Sequence, residues 1–249
     1  MSNIYDTPTQ TLFAAGSDNF EKLYTDVRKK EKRLYSLHQV AALPDVKPSH
    51  VHYDEWKIRK RSSKRLIYYL KKKNKHLKVL EIGCGNGWLS NKIAYHVDAE
   101  VVGIDVNKIE LGQARTIWSH KIDLDFIYGD IRDNIFKQDH FDIIVFAASI
   151  QYFSPLKEIL PVALSLLNTD GEIHIMDTKF YKERQIPEAI ERSNKYYYEL
   201  GHPEMMAYYF HHSWADLKNF NYTILSNPFS LVNRFFNYKN IFPWIKIRR

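Results

Sequence analysis

The stretch 78–91, KVLEIGCGNGWLSN, limits what this chain can fold into more than any other. Val79, Leu80 and Ile82 form a short apolar run. Gly83, Gly85 and Gly87 then alternate, and a helical pattern starts at Trp88. Alternating glycines permit positive φ and a close approach to the backbone. A helix starting directly after them offers free N–H groups to a polar ligand. The stretch therefore predicts strand, tight turn and helix in immediate succession. It is not the dinucleotide fingerprint G-x-G-x-x-G, which needs glycine where this chain has Trp88. An acid, Glu81, sits inside the strand, two residues before the first glycine.

The same alternation continues. Strand 78–82 leads to helix 88–96, and strand 100–106 to helix 108–120. Strand 125–131 leads to a short polar segment. The apolar strand 141–148 leads to helix 155–167, with Ser154 as N-cap, Pro155 in the first turn and Pro161 kinking or dividing it. A turn at Asp170 and Gly171 precedes strand 172–177. Apolar strands alternating with helices predict an α/β fold, a parallel sheet covered on both faces. Further on, Ser213 and Asp216 have capping-box spacing before a helix 214–220. Two strands, 222–226 and 243–247, are joined by a long loop containing Phe235 and Phe236.

Three segments flank this pattern. Residues 1–50 read as an N-terminal helical extension, with one helix at 18–37 whose apolar positions include Phe20, Leu23, Tyr24 and Val27, and a linker at 41–49. The main domain is then 51–249, opened by a helix at 54–73. Residues 179–211 are helical and rich in Tyr and Phe, an aromatic insertion expected to form a lid.

With 249 residues, 45% hydrophobic, the chain suffices for one sizeable core. Cys84 is the only cysteine, which excludes an intramolecular disulfide, and no apolar run approaches the length of a bilayer span. The N-terminal residues lack the basic and apolar regions of a secretory signal, so a cytoplasmic setting is expected. Net charge is +7, and eleven Lys or Arg with no acid fall between 57 and 78. That run suits a solvated helix face better than nucleic acid. No His, Asp or Cys spacing suggests a metal, and no feature sets an oligomeric state.

The strand end E-x-G-x-G-x-G resembles the nucleotide-binding loop of the class I methyltransferases that use S-adenosylmethionine, and the resemblance covers about 54–249. It implies a Rossmann-like, seven-stranded, mostly parallel sheet of order 3-2-1-4-5-7-6 with helices on both faces, S-adenosylmethionine as cofactor and S-adenosylhomocysteine as product. The residues look most like the subgroup related to the ubiquinone- and menaquinone-biosynthesis methylases, the type 11 methyltransferase domain. In open α/β sheets ligands sit beyond the carboxyl ends of the strands. Asp105 ends the second strand, where a carboxylate can accept from ribose hydroxyls, with Val106 against the adenine. Asp130 ends the third strand, placed to accept from the adenine amino group, with Ile131 packing on the ring. Ala147 and Ala148 end the fourth and let the cofactor pass. Glu81 is placed for the methionine amino group. The resemblance carries cofactor roles to Glu81, Gly83, Gly85, Gly87, Asp105 and Asp130, with Cys84 inside the loop. It also implies that the preceding helix offers a residue to the methionine carboxylate, for which Tyr53 and Arg59 are the candidates.

Methyl transfer from a sulfonium mainly requires alignment and exclusion of water. Gln151 and Tyr152, after the fourth strand, point toward the substrate side. His211 and His212 are candidates for a base near the lid. The Asn/Asp-Pro-Pro-Tyr/Phe motif of amine methylases is absent, as is a Pro-Cys nucleophile. The expectation is methyl transfer to an O or N acceptor on a small, partly apolar molecule. The alternatives are an RNA or protein methyltransferase using the basic 57–78 face, and a catalytically silent cofactor-binding subunit.

Overall fold

The computed structural model describes residues 17–118, 120, 123–228 and 241–249. Phe235, Phe236 and the first part of the N-terminal extension lie outside the described residues. The strands are β1 (Leu77–Ile82), β2 (Ala99–Asp105), β3 (Leu124–Tyr128), β4 (Phe141–Ala147), β5 (Leu167–Met176), β6 (Asn221–Ser226) and β7 (Trp244–Arg248). They form one seven-stranded sheet in the expected order, β3-β2-β1-β4-β5-β7-β6. The first five run parallel, and β7 enters antiparallel between β5 and β6.

Period-two alternation divides the strand side chains between two cores. Leu77, Val79, Val101, Ile143 and Val145 face one side of the sheet. The helices α3 (Tyr53–Lys71), α4 (Trp88–His96) and α5 (Lys108–Trp118) cover it with Leu66, Leu70, Ile93, Leu111 and Ala114. Leu80, Ile82, Val102, Ile104, Ile144 and Phe146 face the other side. There α6 (Leu156–Leu166) packs with Ile159, Leu160 and Ala163. Among the described residues no helix is long and apolar enough to cross a membrane.

A third cluster lies apart from the sheet. α1 (Ser17–Lys30) and α7 (Ile186–Leu200), with a 3-10 segment at Pro203–Tyr208, join through Val27, Tyr197 and Met205. Phe20, Tyr24, Tyr152, Tyr208 and Tyr209 pack around them.

Several boundaries differ from the sequence reading. The helix expected over 18–37 stops at Lys30 because Lys32 takes a left-handed φ of 57°. A separate α2 (Leu37–Ala42) then starts on a Ser36–Gln39 capping box, at the end of the expected helix, and runs into the expected linker. β3 ends at Tyr128, not 131, because Asp130 caps a 3-10 turn over Ile131–Asp133. Pro155, not Ser154, is the N-cap of α6, and that helix continues through Pro161. β5 starts at Leu167, with the Asp170–Gly171 turn absorbed as an irregularity against β4. The helix expected over 214–220 is a 3-10 turn, Trp214–Leu217, on the expected Ser213–Asp216 box.

The fully buried Glu172 of β5 accepts from Tyr69 Oη (2.8 Å), Lys73 Nζ (2.8 Å) and Arg248 Nη2 (2.5 Å). Burial alone would raise its pKa. His174, whose Nε2 lies 3.4 Å away, and the hydrogen bonds from Lys73, Arg248 and Tyr69 override that and hold it well below the carboxylate range. A depressed folded value means stability present above the unfolded carboxylate pKa, near ~4.3, and lost as pH falls through the folded value. Glu172→Gln is expected to cost about 2 kcal/mol at pH 7, a modest figure because Arg248 is solvent-accessible. It should also flatten the fall in melting temperature on acidification below about pH 4. Equal melting curves for the two proteins at pH 7 would contradict this.

Candidate functional site

The glycine loop follows β1 directly. The Gly83 and Cys84 N–H groups donate to Ile104 O (2.8 and 3.2 Å), which fixes the turn against β2. Gly83 has φ +73°, and a Cβ there would lie 2.5 Å from the Cβ of Ser149. Ser149 in turn donates to Ile82 O (2.6 Å), so β4 closes on the loop from the other side. Asp105, at the end of β2, accepts from Gly85 N–H (2.7 Å) and Asn107 N–H (2.8 Å). Burial raises its pKa, and those N–H groups pull it back.

These strand ends form the floor of a cavity of about 650 Å³, within the ~300–1,000 Å³ range of small-molecule sites. Glu81, Gly83, Cys84, Gly85, Asp105, Val106, Asp130, Ile131 and Ala147 all line it, as do Arg59 and Tyr152. Glu81 is buried and accepts from Ser90 Oγ, and burial pushes it up to about 8. Cys84 turns its side chain against Gly103 inside the core, and burial pushes the thiol well up. Both oxygens of Asp130 accept from the Arg132 guanidinium (2.7 and 2.6 Å). Arg59 pairs with Glu55 (2.9 Å). Glu55 would be raised by burial, but Arg59 and Arg33 hold it at about 2.

Other expected residues lie elsewhere. Tyr53 opens α3 beneath the Lys57 ammonium and does not line the cavity; Tyr35 and Trp56 do, joined by a Trp56 Nε1 to Tyr35 Oη bond (2.9 Å). Gly87 sits under the floor as the N-cap of α4, where close helix–strand packing needs it. Gln151 is spent on structure: its amide donates to Ala148 O (2.7 Å) and accepts from Thr178 Oγ1 (2.8 Å). His212 is buried and donates to Ile150 O (3.0 Å), and His211 is hydrogen-bonded to Ser193. Both line a second, smaller cavity, and burial lowers the pKa of each.

The roof differs from the expected lid. Of the aromatic insertion, Tyr208 and Phe210 reach the cavity while α7 does not. α1 supplies the rest: Phe20, Glu21, Tyr24 and Arg28. It is latched to the ends of β2 and β3. Glu21 accepts from Lys108 N–H (2.7 Å) and Tyr128 Oη (3.0 Å), and Asn107 Nδ2 donates to Thr25 Oγ1 (3.2 Å). Tyr152 meets Tyr24 edge-on (5.5 Å) and Phe20 tilted (5.9 Å). The Arg28 guanidinium lies 4.7 Å from the Tyr24 ring centroid.

Glu110, on the first turn of α5, also lines the cavity and was missed. Burial pushes it to about 7, against the pull of Arg28, and its Oε2 is buried without a partner among the described residues. Asn86 Oδ1, on the same wall, is likewise unpartnered. The available signal was an acid on the inner side of the helix after an acid-ended strand.

A model of the methyltransferase domain matches residues 73–227, more than half of the chain. The chain belongs to the methyltransferase-domain family. It is thereby a member of the class I superfamily that uses S-adenosylmethionine. The chain shares its fold with geranyl diphosphate C-methyltransferase of Streptomyces coelicolor (TM-score 0.61, 10% identity, 94% of this chain and 97% of that one). It also resembles magnesium protoporphyrin IX methyltransferase of Synechocystis, solved with S-adenosylhomocysteine (0.56, 17%, 94% and 98%). A third similar structure is the YcgJ protein of Bacillus subtilis (0.57, 16%, 76% and 98%). In sequence, 110 residues are 31% identical to the ribosomal RNA small subunit methyltransferase C of Buchnera aphidicola, covering 41% of this chain. The chain spans about a third of the length of that relative, 32%.

The cavity fits the cofactor of this superfamily by its donor set. The buried carboxylates of Glu81 and Glu110 and the half-buried one of Asp105 suit an ammonium and ribose hydroxyls, and two unpartnered oxygens face that wall. Arg59 suits a carboxylate, and Val106 and Ile131 a flat ring.

Proposed function

We propose that this methyltransferase moves a methyl group from S-adenosylmethionine to an O or N atom of a small, partly apolar molecule. The observation that carries the reading is the division of one cavity into a polar floor and an aromatic roof. Residue roles follow from it: Glu81 and Arg59 hold the charged methionine end, Asp105 and Glu110 the ribose, and Val106 and Ile131 the adenine. S-adenosylmethionine supplies a methyl group already activated on a sulfonium. The remaining task is alignment behind that methyl and exclusion of water. Phe20, Tyr24, Tyr152, Tyr208 and Phe210 suit both, by stacking on a flat acceptor and closing over it. Such a wall agrees with the resemblance to the quinone-biosynthesis methylases. Arg61 and Lys64 are exposed, on the side of α3 away from Arg59 and Trp56, which disfavours RNA as the acceptor.

The test begins with calorimetric titration by S-adenosylhomocysteine, followed by acceptor screening with labelled cofactor. Absence of binding by the folded protein would remove the proposal. The same titration examines Glu81. Held at about 8, it is mostly protonated at neutral pH, and pairing with an ammonium requires that proton to leave. Binding at pH 7 should therefore release about one proton, read from the dependence of heat on buffer ionisation enthalpy, and affinity should rise with pH up to about 8. Glu81→Gln should abolish most of the release. Unchanged release would move the ammonium to another carboxylate.

A further inference from the structure

Of the eleven cations between 57 and 78, only Arg59 lines the cavity. Setting those eleven aside from the net charge of +7 leaves −4 for the rest of the chain. The net positive charge of the chain is thus carried by this stretch. On α3, Lys57, Arg61, Lys64, Tyr68 and Lys71 recur at steps of four, three, four and three, and all are exposed. That spacing makes one straight stripe, about 21 Å long at the helical rise. Lys72 and Lys75 extend it past the helix end, also exposed.

Carboxylates within reach are taken by Arg59, Lys60, Lys73 and Lys75. Among the described residues, Lys57, Arg61, Lys64, Lys71 and Lys72 form no ion pair. Tyr68, in the middle of the stripe, is 63% exposed, with the Lys72 ammonium 4.4 Å from its ring centroid. The opposite side of the helix carries the buried Trp56, Ser63, Leu66 and Leu70, together with Arg59.

We propose that this face binds single-stranded nucleic acid, separately from the methyl-transfer cavity. A ladder of unpaired cations gains affinity by releasing phosphate counterions. An exposed aromatic between them adds a stacking surface that tolerates any base. An anionic membrane is the weaker fit, because Tyr68 is the one large side chain in the stripe able to insert. Because the stripe faces away from Arg59 and Trp56, the strand is docked there and not methylated there.

The test is fluorescence anisotropy with a labelled oligouridine of about 15 nucleotides. About five phosphate contacts on a single strand predict a slope near −3.5 for log affinity against log salt, measured from about 50 to about 200 mM. The double variant Arg61→Glu with Lys64→Glu should weaken binding at least about tenfold and flatten the slope by about 1 to 2. Tyr68→Ala should weaken it about fivefold or more with the slope kept. In both variants affinity for S-adenosylhomocysteine and the melting temperature should match the wild type, which separates this face from the cavity and from misfolding. Absence of saturable binding at low salt, or binding indifferent to all three substitutions, overturns the proposal. So does selective binding to phosphatidylcholine vesicles containing about a third phosphatidylglycerol with none to the oligonucleotide, which would assign the face to lipid.

Discussion

Replacing Asp105 with Ala is expected to lower affinity for S-adenosylhomocysteine by about 100- to 1,000-fold. The carboxylate accepts from Gly85 N–H and Asn107 N–H, so it ties the glycine loop to the start of α5 as well as facing the cavity. Hydrogen bonds to a charged group are worth about 1.5–3 kcal/mol each, and the proposed ribose contact would be lost with them. Asp105→Asn keeps the shape but turns a donor toward one of those N–H groups, so a loss of about tenfold or more is expected there too. Melting curves recorded beside the titrations distinguish a lost ligand contact from a collapsed loop. A loss below about threefold in a folded Ala variant would show that Asp105 does not carry the cofactor.

Gly87→Ala is expected to be strongly destabilising. Gly87 has φ +72°, and its Cβ would lie 2.4 Å from the Phe126 ring and 3.1 Å from the Ala114 Cβ. A left-handed alanine and an overpacked contact together cost about 3 kcal/mol, or roughly 6–12 °C in melting temperature for a chain of this size. Gly85→Ala separates the two causes. Gly85 also has positive φ, at +53°, but its nearest contact is Glu110 Oε1 at 3.4 Å. A loss at position 87 no larger than at position 85 would mean that contact with β3 is not what requires glycine there.

The sheet was legible because its information is local. Short apolar runs bounded by turn residues announce strands, as at 143–146, and period-two alternation makes Val79 and Leu80 face opposite cores. The strand-end acids were legible because the carboxyl edge of such a sheet is where polar side chains converge. The roof was not. Phe20 and Tyr24 were visible as apolar positions of a helix, but periodicity tells which face is buried and never against what. Their partners, Tyr152 and Tyr208, lie more than a hundred residues away. His211 and His212 misled for a related reason. A histidine that satisfies a carbonyl in the core, as His212 does with Ile150, has the same letter as one poised to take a proton. Asp130 shows an intermediate case: its place at the cavity was foreseen, its pairing with Arg132 two residues on was not.

The cluster of Val27, Tyr197 and Met205, with the aromatic rings packed around it, stands apart from both sheet cores. That separation has a meaning for descent. Changes at Phe20, Tyr24 or Tyr208 alter what faces the cavity from above and leave the residues that fold the sheet in place, while Glu21 and Thr25 keep α1 latched to the ends of β2 and β3. A lineage built this way can exchange one acceptor for another through substitutions in α1 and the Pro203–Tyr208 segment, while the machinery beneath is inherited intact.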